Sequence, residues 1–343
     1  MAKRNVSFIV GLVVLLFIFL MLITIIIGVA AFRRNIPIIG RGVIALVKVE
    51  GILTDTTNEI ELLRKYAENS LVRAIVLRID SPGGSVGCSQ ELYAEVLKAR
   101  KQSRKPIVAS MGNVAASGGY YVACAADEIY ANPGTVTGSI GVIFQSYDLR
   151  GLSQKVGVNV NTVKSGKFKD TGSYFREMTP DERKVLQGTI DDTYDQFLDA
   201  VLDGRRAALA TASLRRSSQG TTASLAAGAA ATTATTSALP LLLTPSQAER
   251  VPLPAVKEYL RSFADGRVLS GRQAQELGLV DSLGDLHDAI DRATKLAGLR
   301  GKPYVMQERR RVGFLDLLQG RANAVSQLAE RLGVSLEYRL SME

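Results

Sequence analysis

An α/β fold with parallel strand pairing, carried behind an N-terminal transmembrane helix, is the architecture this 343-residue sequence predicts. Three features lead there. Short apolar runs alternate with helix-like stretches from Gly42 onward. Two glycine-rich turns follow apolar runs that read as buried strands. A long apolar segment precedes them all. Hydrophobic residues make up 46% of the chain and tryptophan is absent. Packing therefore rests on Val, Ile, Leu and Ala, which suits strands covered on both faces.

Residues 1–7 form a short tail. Phe8 to Phe32 is apolar apart from Thr24 and two glycines. As a helix it is ~37 Å long, against a hydrocarbon core of ~30 Å. It exceeds a signal-peptide h-region, and no small-x-small cleavage site followed by a mature start is evident. Residues 8–32 are therefore expected to be a retained anchor rather than a cleaved signal. Lys3 and Arg4 flank one end and Arg33 and Arg34 the other, which leaves orientation open.

Gly42–Gly51 reads as a strand, and Asn58–Ser70 as a helix with Ile60, Leu62, Leu63 and Tyr66 apolar. Arg73–Asp80 is a second strand, continuous enough to be buried on both faces. Ser81-Pro82-Gly83-Gly84 turns into a helix at about Ser89–Lys101. Pro106–Met111 is a third strand, followed by the turn around Ser117 and a helix of small residues. Glu128–Pro133 and Thr137–Val142 are further strands. Thr179-Pro180-Asp181-Glu182 is a helix start, with a Thr N-cap, Pro at the first position and Glu at the third. The helix it opens is expected to turn Val185, Ile190, Tyr194, Phe197 and Val201 inward. Residues 207–254 are rich in Ala, Thr, Ser and Leu and are expected to be a poorly ordered low-complexity insert, with local helix in the Ala runs. Gly271–Leu299 reads as helix, glycine cap, short strand, turn and helix. Residues 307–343 form an amphipathic extension around Phe314, Leu318, Val325 and Leu332, suited to packing on a neighbouring subunit or domain. A membrane-surface helix is the alternative there.

The net charge is +9, but Lys and Arg are scattered rather than gathered on one element, so nucleic acid is not an expected partner. Cys88 and Cys124 lack metal-type spacing and read as small buried side chains. Neither glycine turn fits a nucleotide-binding motif. No metal or cofactor is expected.

What remains is acyl chemistry. Glycine turns at the carboxyl ends of strands expose backbone N–H groups able to stabilise an oxyanion. A serine there needs a base. The chain has one histidine, His287, at the start of a polar-faced helix where a solvated role is expected, so a Ser-His-Asp triad is disfavoured. A lysine can serve instead, since burial favours its neutral form. Lys164, Lys167 and Lys169 cluster on one segment, and composition does not choose among them.

At this point the residues resemble a known family. Asp80-Ser81-Pro82-Gly83-Gly84, Ala116-Ser117-Gly118-Gly119-Tyr120-Tyr121, Thr137-Gly138-Ser139-Ile140-Gly141 and Lys164-Ser165-Gly166-x-x-Lys169-Asp170 are similar, in order and spacing, to the short bacterial form of signal peptide peptidase A. The likeness covers about residues 42 to 300, apart from the insert. It implies a ClpP/crotonase-like fold, with the peptidase domain over 42–206 and its remainder over 255–306. It implies Ser117 as nucleophile, Lys169 as general base, Ser139 orienting the lysine amine, and the Gly84 and Gly118 N–H groups as the oxyanion hole. It further implies hydrophobic peptides such as cleaved signal peptides as substrates, a homo-oligomeric ring, and an extracytoplasmic domain on a bacterial membrane. The insert departs from the family's shorter linker but leaves the motif blocks untouched. Two other readings are a crotonase-type acyl-CoA enzyme, which also uses glycine oxyanion turns, and a non-catalytic membrane scaffold.

Overall fold

The computed structural model describes residues 15–25, 42–228, 250–308 and 336–339, with the backbone alone for 218–228 and 336–339. Helix α1 (15–25) carries exposed apolar side chains, Leu15, Phe17 and Met21 among them. The rest of the expected anchor lies outside the described residues, among which no helix is long and apolar enough to cross a membrane.

The domain has a mixed α/β fold with a central sheet. Strand β1 (Val43–Leu53) leads to α2 (Thr57–Glu68), β2 (Val72–Ser85), α3 (Val86–Ser103), β3 (Ile107–Ala116) and α4 (Gly118–Ala123). Then come β4 (Glu128–Ala131), β5 (Val136–Gly138), β6 (Ile143–Phe144), α5 (Arg150–Lys155) and the long α6 (Pro180–Gly228). The chain continues with α7 (Leu253–Arg261), β7 (Val268–Ser270), α8 (Gly271–Glu276), β8 (Ser282–Leu283), α9 (Leu286–Leu296), β9 (Tyr304–Gln307) and β10 (Leu336–Arg339). β1, β2, β3 and β4 pair in parallel, the arrangement that βαβ crossovers require.

Alternation along these strands divides the core in two. Val43, Ala45, Val47 and Val49 of β1, with Ile75, Leu77 and Ile79 of β2, face one layer, shared with Leu63, Leu92, Tyr120 and Phe197. Ile44, Leu46, Ala74 and Val76 face the other, closed by Ala289 and Ala293 of α9. Both faces are covered, so the strands are near-continuously apolar. β7 and β8 add to β5 and β4, so residues 255–306 complete the same sheet.

Several expectations shift. No structural break falls at residue 207: α6 runs through to Gly228, with Leu209, Ala210 and Ala212 buried. Alanine is the strongest helix former, and the covered face supplies tertiary support. Residues 229–249 lie outside the described residues. Val185 is 49% exposed rather than inward, while Phe197 and Val201 are buried. The strand expected over Thr137–Val142 is split, because Gly138 and Ser139 both take positive φ, 74° and 49°. His287 is exposed in the first turn of α9, and both cysteines are free thiols. The amphipathic stretch at 314–332 lies outside the described residues, and the tail beyond it contributes β10.

Helix α6 is fastened to the end of α4 and to the residue preceding β8. A Cβ on Gly204 would lie 2.0 Å from the Cys124 carbonyl oxygen, so the helix touches backbone there. Beside it the buried Arg205 guanidinium donates twice to Asp281, at 2.8 and 2.6 Å. Asp281 also accepts the Ile129 N–H at 2.7 Å.

Candidate active site

The parallel strands β1, β2 and β3 end together, and regular pairing breaks there on both sides of β2. Register shifts fall between Glu50 and Ile52 of β1 and between Ile79 and Ser81 of β2. Two consecutive side chains stitch the gaps. Asp80 accepts the Val114 N–H at 3.1 Å and the Asn113 amide at 3.2 Å. The Ser81 hydroxyl donates to the Gly51 carbonyl at 2.5 Å and accepts the Gly83 N–H at 3.1 Å. The Ser81–Gly84 stretch, which continues strand β2 rather than forming the expected turn, is thereby tied to both neighbouring strands.

Ser117 sits between β3 and α4 with φ 52° and ψ −120°, in a region non-glycine residues rarely occupy. Its N–H donates to the Gly138 carbonyl at 2.9 Å, and its carbonyl accepts from the Tyr121 N–H at 2.9 Å. The side chain is wholly buried, yet its Oγ has no hydrogen-bond partner among the described residues. A positive φ on such a residue costs about 1–3 kcal/mol, and an unsatisfied buried hydroxyl costs a similar amount. Two such costs on one residue point to function rather than stability.

The glycine turns are in contact. A Cβ on Gly118 would lie 2.3 Å from Ser89 Oγ and 3.3 Å from Gly83 Cα; one on Gly119 would lie 2.8 Å from the Ser81 carbonyl oxygen. A Cβ on Gly84 would lie 2.4 Å from the Leu53 carbonyl oxygen. Gly84 and Gly119 require glycine because backbone approaches backbone, and Gly118 because the Ser89 hydroxyl lies against it. Gly118, next to Ser117, is thus brought against Gly83, the neighbour of Gly84, and Ser89 supports them from α3, donating to the Ser85 carbonyl at 3.0 Å. Ser89 escapes sequence reasoning because nothing marks one helical serine above another.

Lys169 is placed differently. It lies on an exposed segment and forms no hydrogen bond to Ser117. Ser139 is buried, its N–H donates to the Arg267 carbonyl at 2.8 Å, and its hydroxyl makes no hydrogen bond among the described residues. The three clustered lysines are nevertheless distinct. Lys164 donates to Asp170 at 2.5 Å, and Lys167 pairs with Asp181. The Lys169 ammonium forms no ion pair among the described residues, which separates it from its neighbours in a way composition did not.

One more element reaches the site. β3 pairs with β2 as far as Ser81, opposite Ala115, and then leaves toward Ser117. β10 takes up the vacated edge: Glu337, Tyr338 and Arg339 pair antiparallel with Ser85, Gly84 and Gly83. On its far side β10 meets Ile143 and Phe144 of β6. The slot beside the glycine turn therefore accepts an extended chain between two strands.

The sequence matches the family described as peptidase family S49 over residues 99–232 and 255–300. It is 37% identical over 257 residues to a provisionally named protease, slr0021, of Synechocystis, covering 75% of each chain. A provisionally named signal peptide peptidase SppA of Enterococcus faecium is 31% identical over 284 residues, covering 79% of this chain and 68% of that one. The chloroplastic serine protease SPPA of Arabidopsis thaliana is 30% identical over 270 residues, covering 78% of this chain and 32% of its own length.

Proposed function

This chain belongs to peptidase family S49, and on that premise we propose that it is a membrane-anchored serine endopeptidase that cleaves hydrophobic peptides, remnant signal peptides among them, with a Ser117–Lys169 dyad. The observation that carries the reading is the buried, strained and unpartnered Ser117 hydroxyl beside two touching glycine turns.

In this mechanism neutral Lys169 takes the Ser117 proton as Oγ attacks the peptide carbonyl. The Gly84 and Gly118 N–H groups hold the oxyanion, each worth roughly 3–4 kcal/mol in the transition state. Lys169 then protonates the leaving amine, and water releases the acyl group by the reverse sequence. The substrate lies extended in the slot now held by β10, as an added strand whose backbone bonds supply affinity and whose alternate side chains meet pockets. The fold, on this reading, is ClpP/crotonase-like.

A lysine works as a base only when neutral, and burial favours the neutral form. Lys169 reaches that state when its segment closes over Ser117. Self-association into a ring supplies the closure, and Ser139 then orients the amine. Val158, Val160, Val163 and Phe168 support this, since all are exposed on the same segment and Val163 is 100% exposed. The apolar stretch at 8–32, helical over 15–25, anchors the domain to a bacterial membrane with the peptidase domain on the extracytoplasmic side.

The test is active-site labelling with a serine-reactive phosphonate at several pH values. Labelling is expected to rise over a range well below the ~10.4 of free lysine. It should persist in Lys164→Ala and vanish in Lys169→Ala. Parent-rate labelling of Lys169→Ala sinks the dyad.

Gly118→Ala separates donor geometry from folding. Its Cβ would strike Ser89 Oγ at 2.3 Å and push the 118 N–H off its line. A fall in kcat/KM of about 10²-fold or more is expected, the scale of losing one oxyanion donor. Adding Ser89→Ala should recover part of it.

A further inference from the structure

The segment bearing Lys169 is fastened to the start of α6 by Arg176, alongside the Lys167–Asp181 ion pair. Arg176 donates from Nε to Asp170 Oδ2 at 2.7 Å, and from Nη2 to Asp170 Oδ1 at 2.8 Å and to the Asp170 carbonyl at 3.0 Å. Its Nη1 donates to Glu182 at 2.8 Å and to the Glu177 carbonyl at 3.0 Å. Glu182 is in turn locked by the helix cap. It accepts the Thr179 N–H at 2.9 Å, and its own N–H donates to Thr179 Oγ1 at 3.3 Å. Lys164 adds a third donor to the Asp170 carboxylate. Both carboxylate oxygens of Asp170 are thus engaged by the Arg176 and Lys164 cations.

Asp170 is the residue next to Lys169. A carboxylate free to turn toward a neighbouring ammonium favours the charged form and so opposes its use as a base. Lys167 pairs with Asp181, and Arg150 pairs with Asp148 and Glu177. Asp170 is the anion whose orientation decides what Lys169 meets.

We propose that Arg176 is a positioning residue that holds the Asp170 carboxylate away from the Lys169 amine, so that the base carries no anionic partner to retain its proton. The inference rests on the reading of Lys169 as base. The clasp persists wherever a lysine could titrate. Its hydrogen bonds from Arg176 hold the Glu182 carboxyl down to about 2 and keep Asp170 well below the usual carboxylate range.

The experiment compares pH profiles of kcat/KM for the full-length parent, Arg176→Gln, Arg176→Lys and the double variant Arg176→Gln/Asp170→Asn. Arg176→Gln frees one Asp170 oxygen and should move the acid limb up by about one pH unit, roughly tenfold less activity on that side, with the alkaline plateau kept within a few-fold. Arg176→Lys retains the charge without the fork and should move the limb by less. The double variant removes the carboxylate and should return the limb to its parent position. A uniform loss at every pH with the limb in place, or a double variant that stays shifted, overturns the proposal. If Arg176→Gln does not fold, the limb of Arg176→Lys carries the same test, and an unshifted limb there counts against the proposal. Retention of the parent profile by Lys169→Ala is a separate outcome, which removes the reading of Lys169 itself.

Discussion

Ser117→Ala is expected to lose peptide hydrolysis by about 10⁴-fold or more while melting no lower than the parent. The first half follows from removing the attacking atom; residual turnover would come from the oxyanion donors and binding alone. The second half follows from the surroundings of the hydroxyl. It is wholly buried and makes no hydrogen bond among the described residues, so the folded state gains nothing from it and bears its lost hydration. Alanine keeps the methylene and drops the unsatisfied group. The positive φ is unchanged, because alanine meets the same steric cost there. Hydrolysis of a fluorogenic hydrophobic peptide and thermal melting, run on the same preparation, test both halves. A melting point clearly below the parent would show that the hydroxyl has a structural partner. Parent-level hydrolysis would end the serine mechanism.

Asp281→Ala should have the largest effect on stability, a loss of about 3–5 kcal/mol. Arg205 is buried, and its two bonds to Asp281 are its matched charge. Removing the carboxylate leaves a guanidinium without its anion in the core and also orphans the Ile129 N–H. In a domain of this size the loss corresponds to roughly 10 °C in melting temperature. The double variant Arg205→Met/Asp281→Asn should lose less than the single one, since the buried charge goes with its partner and the asparagine oxygen still accepts from Ile129. Denaturant melts of the three proteins decide it; a single variant as stable as the double would show that Arg205 reaches solvent.

Much of the architecture was legible because burial on both faces writes itself into strands as unbroken Val, Ile and Leu. β1, β2, β3 and the helices between them lie close to their expected bounds. The boundary at 207 was misplaced because a helix tail of alanines resembles low complexity; only the covered face that buries Leu209 and Ala210 distinguishes them. At the candidate site, Ser117, Gly84 and Gly118 were proposed from motif likeness and from glycines following apolar runs. Arg176 and Ser89 could not, since their importance lies in which groups they meet across the fold. The choice of Lys169 among three lysines came from motif likeness, and the structure adds that the other two have carboxylate partners. β10 was invisible for a simpler reason: four residues, Leu336 to Arg339, carry too little alternation to be called a strand until a partner edge is known.

That last strand has a consequence for which peptides can be processed. A guest entering beside Gly83–Ser85 must compete with a segment of the same polypeptide, and a tethered competitor acts at an effective concentration that reaches millimolar for short flexible linkers. Dilute peptides in bulk water would lose that contest. If the domain is anchored as proposed, peptides confined to a thin lipid layer beside it would be concentrated by the same geometry, and occupancy by the chain's own strand would act as an entry threshold favouring membrane-retained fragments over soluble ones.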